Sequence, residues 1–326
     1  MAADSIISFN DVLEANYRIS QFLHKTPVFT SHQADEKSGG RCIFFKAENL
    51  QKSGSFKARG ALNAVLKCRE SNNATCGVVT HSSGNHGQGL AWAASVAKLP
   101  CYVVVPQMAP LVKKNAILSY GAELVECGAK PTDRYEACDR LEKEKNLVFI
   151  PPYDHQDVIA GQGTIGLEFL EQVPQLDAIL IPVSGGGMSA GIAIAAKTIK
   201  PDIKIFLVTP KGKKLEECLT TGKRPWEGPP QYLETIADGI RLQQTGYITT
   251  PILIDLVEKQ VFEMSDQEMV EGMKFAFERM KLVVEAASGA AVAAAFSQKM
   301  KNMDASIQNV GVILCGGNVD IDDLPW

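Results

Sequence analysis

Several things are missing from this 326-residue chain, and each absence narrows what it can be. No apolar run approaches the roughly 20 residues of a membrane-spanning helix, so no membrane association is expected. There is no basic surplus: 33 Lys and Arg stand against 37 Asp and Glu, a net charge of −4, which speaks against nucleic-acid binding. The opening MAADSIISFNDV has no basic stretch followed by an apolar core, so no secretory signal is expected. The eight cysteines, Cys42, Cys68, Cys76, Cys101, Cys127, Cys138, Cys218 and Cys315, form no CxxC pair. Neither a zinc site nor a disulfide framework follows, and scattered thiols fit a reducing compartment, hence the cytoplasm. Internal repeats and low-complexity tracts are absent too.

What is present is an ordinary globular composition, 45% hydrophobic and 21% charged, with chain enough for about two domains. Short β-branched runs at 76–81, 101–106, 122–127, 147–152, 177–183, 204–209 and 310–315 read as strands, covered on both faces because they scarcely alternate. Segments 87–98, 113–121, 133–145 and 187–199 read as helices between them, and the chain opens on a helix at FNDVLEANYRISQFL, capped by Ser8 or Asn10. Alternating strand and helix implies an α/β fold with mostly parallel sheets. The segment 210–235, rich in Lys, Gly and Pro, reads as a long surface loop.

Four constellations carry chemistry. Ser53-Gly54-Ser55-Phe56-Lys57 runs into the helical ALNAVLKC, placing a lysine in a first helical turn. The positive helix end repels a cation there, and with burial it lowers the pKa and makes the amine nucleophilic, as a Schiff-base lysine requires; a lone lysine is otherwise a surface residue. Ser82-Ser83-Gly84-Asn85-His86 lies between a strand and a helix, the edge where open α/β sheets bind ligands, although a turn rich in capping residues reads the same way. Ser184-Gly185-Gly186-Gly187 offers unobstructed backbone N–H groups to a phosphate. Gly185, Gly187 and Ala190 also fit a dinucleotide fingerprint, but no acid ends the next strand KIFLVT, so a nicotinamide-dependent oxidoreductase is only a remote alternative. Cys315, before Gly316-Gly317-Asn318, is either a core thiol or one facing a bound ring; no Cys-His-Asn set makes it a nucleophile.

Together, SGSFK (53–57), THSSGNHGQ (80–88), VIAGQGTI, the glycine loop, ETIADG and GGNVD (316–320) resemble the fold-type II pyridoxal-phosphate enzymes, tryptophan synthase β-like, in their serine racemase and serine/threonine dehydratase branch, over almost the whole chain. The resemblance implies two three-layer domains: a large one from 1–77 plus 156–326, and a small mobile one at 78–155. It implies pyridoxal 5'-phosphate held by Lys57, with Asn85, Ser184, Gly185, Gly186, Gly187, Gly239 and Cys315 around it. Lys57 and Ser83 would serve opposite faces of the substrate Cα, and Ser82, Ser83, Asn85, His86 and Arg134 would hold the substrate. Lys52, Gln88, Tyr120 and Asn318 match the family's nucleotide site, so ATP is an expected effector, and Mg2+ or Ca2+ is a separate one. The implied activity is interconversion of L- and D-serine in a homodimer, with β-elimination to pyruvate and ammonia. The alternative is a serine, threonine or 3-hydroxyaspartate dehydratase with little racemase activity. Aspartate racemisation ranks lower, for no run of serines stands near 153–157 to receive a second carboxylate.

Departures from that pattern are informative. Cys315 replaces a serine at the pyridine nitrogen, Ser184 replaces the first of four glycines, Leu242 replaces a small hydroxyl residue and Tyr153 an asparagine. Where a metal-ligating glutamate is usual stands Thr209, followed by Pro210-Lys211-Gly212-Lys213-Lys214, so a divalent cation there would face lysines; Glu216 and Glu217 are the nearest acids.

Overall fold

The computed structural model describes residues 7–71, 77–128, 131–228 and 230–326. Cys76, and with it the start of the expected strand at 76–81, lies outside them. The strands are β1 (Val28–Thr30), β2 (Cys42–Ala47), β3 (Val78–His81), β4 (Cys101–Pro106), β5 (Glu123–Cys127), β6 (Val148–Phe149), β7 (Ala178–Pro182), β8 (Lys204–Pro210), β9 (Val261–Met264) and β10 (Asn309–Leu314). The helices are α1 (Phe9–Ile19), α2 (His32–Lys37), α3 (Lys57–Glu70), α4 (Asn85–Ala97), α5 (Leu111–Ser119), α6 (Pro131–Lys145), α7 (Gln156–Gln172), α8 (Gly187–Ile199), α9 (Leu215–Thr221), α10 (Thr249–Leu256), α11 (Asp266–Phe275), α12 (Ala286–Phe296) and α13 (Gln298–Lys301). Among the described residues no helix is long and apolar enough to cross a membrane.

Two sheets result. One has six strands in the order β1-β2-β10-β7-β8-β9, parallel except for the β1–β2 pair. The other has four parallel strands, β5-β4-β3-β6. Residues 78–149 supply the whole second sheet, inserted between the strands of the first. Strand β7, AILIP, is buried at every residue, as a central parallel strand covered by helices on both faces must be. Ser8 rather than Asn10 caps α1, in a capping box with Asp11.

Three strands escape the sequence reading, β1, β2 and β9, all toward one end or the other of the large sheet. The segment 210–235 differs more. It contains α9, entered through Lys214 and left through Gly222, both left-handed, and it buries Lys213, Leu215, Cys218, Leu219 and Trp226. Lysines and prolines made it read as surface, but Leu215, Cys218, Leu219 and Trp226 join the main hydrophobic core and α9 packs on α10.

The register fixes the site. Leu314 at the end of β10 lies beside Ala47 at the end of β2, and Val312 of β10 pairs with Leu180 of β7. Parallel strands therefore deliver their C-terminal ends, and the segments that follow them, to one edge.

Candidate active site

A cleft of about 210 Å³ opens along that edge, between the two sheets, and all four constellations reach it. It is lined by Lys57, Ser82, Ser83, Asn85, His86, Arg134, Ser184, Gly185, Gly186, Gly187, Gly239 and Cys315. Of the residues matched to a nucleotide site, Gln88 and Asn318 also line it, whereas Lys52 and Tyr120 do not.

Lys57 is the first residue of α3, behind the N-cap Phe56, which makes no side-chain capping hydrogen bond. Two residues on, Arg59 is buried and grips both oxygens of Glu48 at 2.7 Å, and Glu168 at 3.1 Å. This paired guanidinium bolts the first turn of α3 to β2's exit and to α7, and so places Lys57. The Lys57 amine donates to the Pro152 carbonyl at 2.5 Å. Burial lowers its pKa to about 8.

The segment before Lys57 is tied to the end of β10. Phe56 N–H donates to the Cys315 carbonyl at 3.0 Å, and Gly317 N–H to the Gly54 carbonyl at 2.9 Å. The buried Cys315 thiol lies 3.5 Å from Ser288 Oγ and 3.8 Å from Glu285 Oε1. Burial first, then Glu285, raises its pKa far above the ordinary thiol range, so it stays a neutral S–H.

Glu285 is a residue the sequence reading missed. It lies just before α12, 6% exposed, and its backbone N–H donates to the Gly316 carbonyl at 3.0 Å. Burial, with Asp238 adding, raises its pKa to about 7. An acid before an alanine-rich helix reads as a helix-dipole partner; only the return of β10 alongside makes it a cleft group. Asn85 is held between it and Asn318, whose amide donates to Asn85 Oδ1 at 2.7 Å. His86 is buried, with Nε2 on the Ile150 carbonyl at 2.9 Å and Nδ1 without a partner; burial and then Lys57 drive its pKa down to about 3. Arg134 likewise has a buried Nε with no partner.

The glycine turn is built as a cradle. Gly186 is left-handed, φ +98°, and opens α8 with no side-chain cap, leaving the first N–H groups of a 13-residue helix to a ligand. A Cβ on Gly187 would meet the Tyr153 backbone carbonyl at 2.8 Å.

The family model described as pyridoxal-phosphate dependent enzyme matches residues 19–316. The chain belongs to this family. Within it, the chain is 43% identical to the serine racemase of Mus musculus, over 100% of this chain and 96% of that one. It is 41% identical to the L-threo-3-hydroxyaspartate ammonia-lyase of Saccharomyces cerevisiae, covering 96% and 94%. Among solved structures, a pyridoxal 5'-phosphate-dependent aspartate racemase superposes with a TM-score of 0.96 at 53% identity, covering 100% of both chains. The fold is that of the fold-type II enzymes, with mostly parallel sheets.

The residues fit the family's cofactor. An amine of lowered pKa suits bonding to an aldehyde, an uncapped helix start within a run of three glycines suits a phosphate, and a neutral thiol suits a pyridine nitrogen. Among the described residues no three His, Cys, Asp or Glu side chains come together to hold a metal ion. Glu216 is engaged elsewhere, accepting from Val261 N–H at 2.8 Å.

Proposed function

We propose that this is an amino-acid racemase that interconverts L- and D-serine and also eliminates the β-hydroxyl to give pyruvate and ammonia. One observation carries the reading: Lys57, at the start of α3, and Ser83, in the turn after β3, line the same cleft, with the uncapped start of α8 beside them. When bound, pyridoxal phosphate withdraws electrons from the substrate and makes its Cα–H acidic. Lys57 Nζ then takes or returns the proton at one face of Cα, and Ser83 Oγ serves the other. Asn85, fixed by Glu285 and Asn318, would position the ring, and the backbone N–H groups of Gly185, Gly186 and Gly187 would hold the phosphate. Cys315, as a neutral thiol, would leave a pyridine nitrogen uncharged and so weaken the electron withdrawal the cofactor would supply, letting loss of the β-hydroxyl compete with reprotonation.

Arg134 binds the substrate carboxylate through its unpartnered Nε, and residues 78–155 move as a unit to bring it there. The same reading takes the protein as a cytoplasmic homodimer, with ATP at Lys52, Gln88, Tyr120 and Asn318.

A second reading, aspartate racemisation, is favoured by the 53% identity to an aspartate racemase and by the charges of the cleft. Among the described residues Arg134 and Arg241 both line it without a carboxylate partner, whereas Lys113 is paired with Asp238. Two guanidiniums without a carboxylate partner are one more than serine needs.

Chiral chromatography of products from L-serine and L-aspartate, with pyruvate measured alongside, decides. D-Serine and pyruvate from L-serine are expected. D-Aspartate without D-serine selects the second reading, and no racemised product from either substrate overturns both.

A further inference from the structure

Lys213 is fully buried, in a loop where a lysine ordinarily reaches solvent. Its ammonium donates to one acceptor, the Leu242 carbonyl. Among the described residues no carboxylate forms an ion pair with it, and burial alone brings its pKa down to about 7. A buried cation with one carbonyl partner is a net burden on stability. The loop is nevertheless shaped to insert it. Gly212 and Lys214, on either side, are both left-handed, at φ +88° and 56°, which for Lys214 is a strained conformation. Trp226 Nε1 anchors the backbone by donating to the Lys213 carbonyl at 3.1 Å.

What the ammonium holds is a wall of the cleft. Leu242 is a lining residue, bridged to Tyr232, and Leu233 N–H donates to the Arg241 carbonyl at 2.7 Å and Gln243 N–H to the Gln231 carbonyl at 2.9 Å. Tyr232, Arg241 and Leu242 therefore face the substrate space from one short paired segment, with Arg241 stacked 4.7 Å over Tyr232. We propose that Lys213 is a positioning residue for substrate binding, a buried amine donor that pins the Leu242 carbonyl and so sets where Arg241 and Leu242 stand. The inference rests on the cleft being the amino-acid site proposed above.

The test compares wild type, Lys213→Met and Lys213→Arg as holoenzymes, measuring kcat and KM with L-serine and L-aspartate, thermal midpoints, and amide hydrogen exchange at Leu233 and Gln243. Lys213→Met is expected to raise KM about tenfold, to leave kcat within about twofold, to leave the midpoint unchanged or higher, and to speed exchange at both amides. Lys213→Arg, which keeps a charged donor, is expected to recover most of the KM and carries the comparison if the methionine variant does not fold. An unchanged KM and exchange rate in Lys213→Met, or a parallel fall of kcat and midpoint, overturns the proposal. A wild type inactive on both amino acids instead overturns the functional reading on which it rests.

Discussion

Asn85 gives its side-chain amide to both oxygens of Glu285, at 2.9 Å each, across 200 residues of sequence. The bond joins the start of α4, beside the four-stranded sheet, to the start of α12, on the six-stranded one. It places a carboxyl group whose pKa is near neutrality a few ångströms from Cys315, in the cleft that holds Lys57.

That carboxyl group makes stability depend on pH. Its pKa is raised from 4.5 to about 7 on folding, so between these values the folded chain binds more protons than the unfolded one. Stability from this group is present below pH 4.5 and is lost as pH rises through 7, a change of a few kcal/mol. Urea midpoints of wild type and Glu285→Gln at pH 5, 6, 7 and 8 check this. The variant is expected to lose less stability over the range, and equal slopes would refute the assignment.

The proposed two-faced proton transfer predicts unequal variants. Lys57→Ala is expected to lose both racemisation and elimination by about 10³-fold or more, together with the visible imine absorbance of the holoenzyme. Ser83→Ala is expected to lose racemisation by at least about 10²-fold while keeping elimination from one enantiomer. Racemisation by Ser83→Ala at the wild-type rate would show that another group serves the second face.

Arg134 is expected to act in binding more than in the proton transfers. Removing a charged hydrogen bond to a carboxylate is worth about 1.5–3 kcal/mol, so Arg134→Met is expected to raise KM about 10- to 100-fold. Steady-state kinetics on L-serine and L-aspartate measure it. A larger penalty for aspartate would point to the second reading, and an unchanged KM on both would remove Arg134 from the site.

Gly186 has no room for a side chain. Its φ is +98°, and a Cβ would meet Thr249 Oγ1 at 2.8 Å. Gly186→Ala is expected to cost about 1–3 kcal/mol of stability and to weaken retention of pyridoxal phosphate, measured as cofactor released on dialysis. Full occupancy with an unchanged urea midpoint contradicts the cradle.

The chemistry-bearing segments were legible because each is local. A lysine opening a helix, a serine-rich turn and a triple glycine are short-range patterns, and the strands before 84, 184 and 316 declare themselves by unbroken apolar runs. Less visible were strands with mixed faces. CIFFKA of β2 carries Lys46, whose amine pairs with Glu168 at 2.6 Å, and no periodicity reveals that partner 122 residues away.

By itself, then, the order of residues determined the alternation of strand and helix, the turn chemistry and the amine at position 57, since backbone conformation at each depends on near neighbours. The burial of Glu285, the grip of Arg59 on Glu48 and the inward turn of Lys213 were decided only by tertiary structure. A side chain's charge state and partners depend on what is packed over it, and that comes from strands distant along the chain.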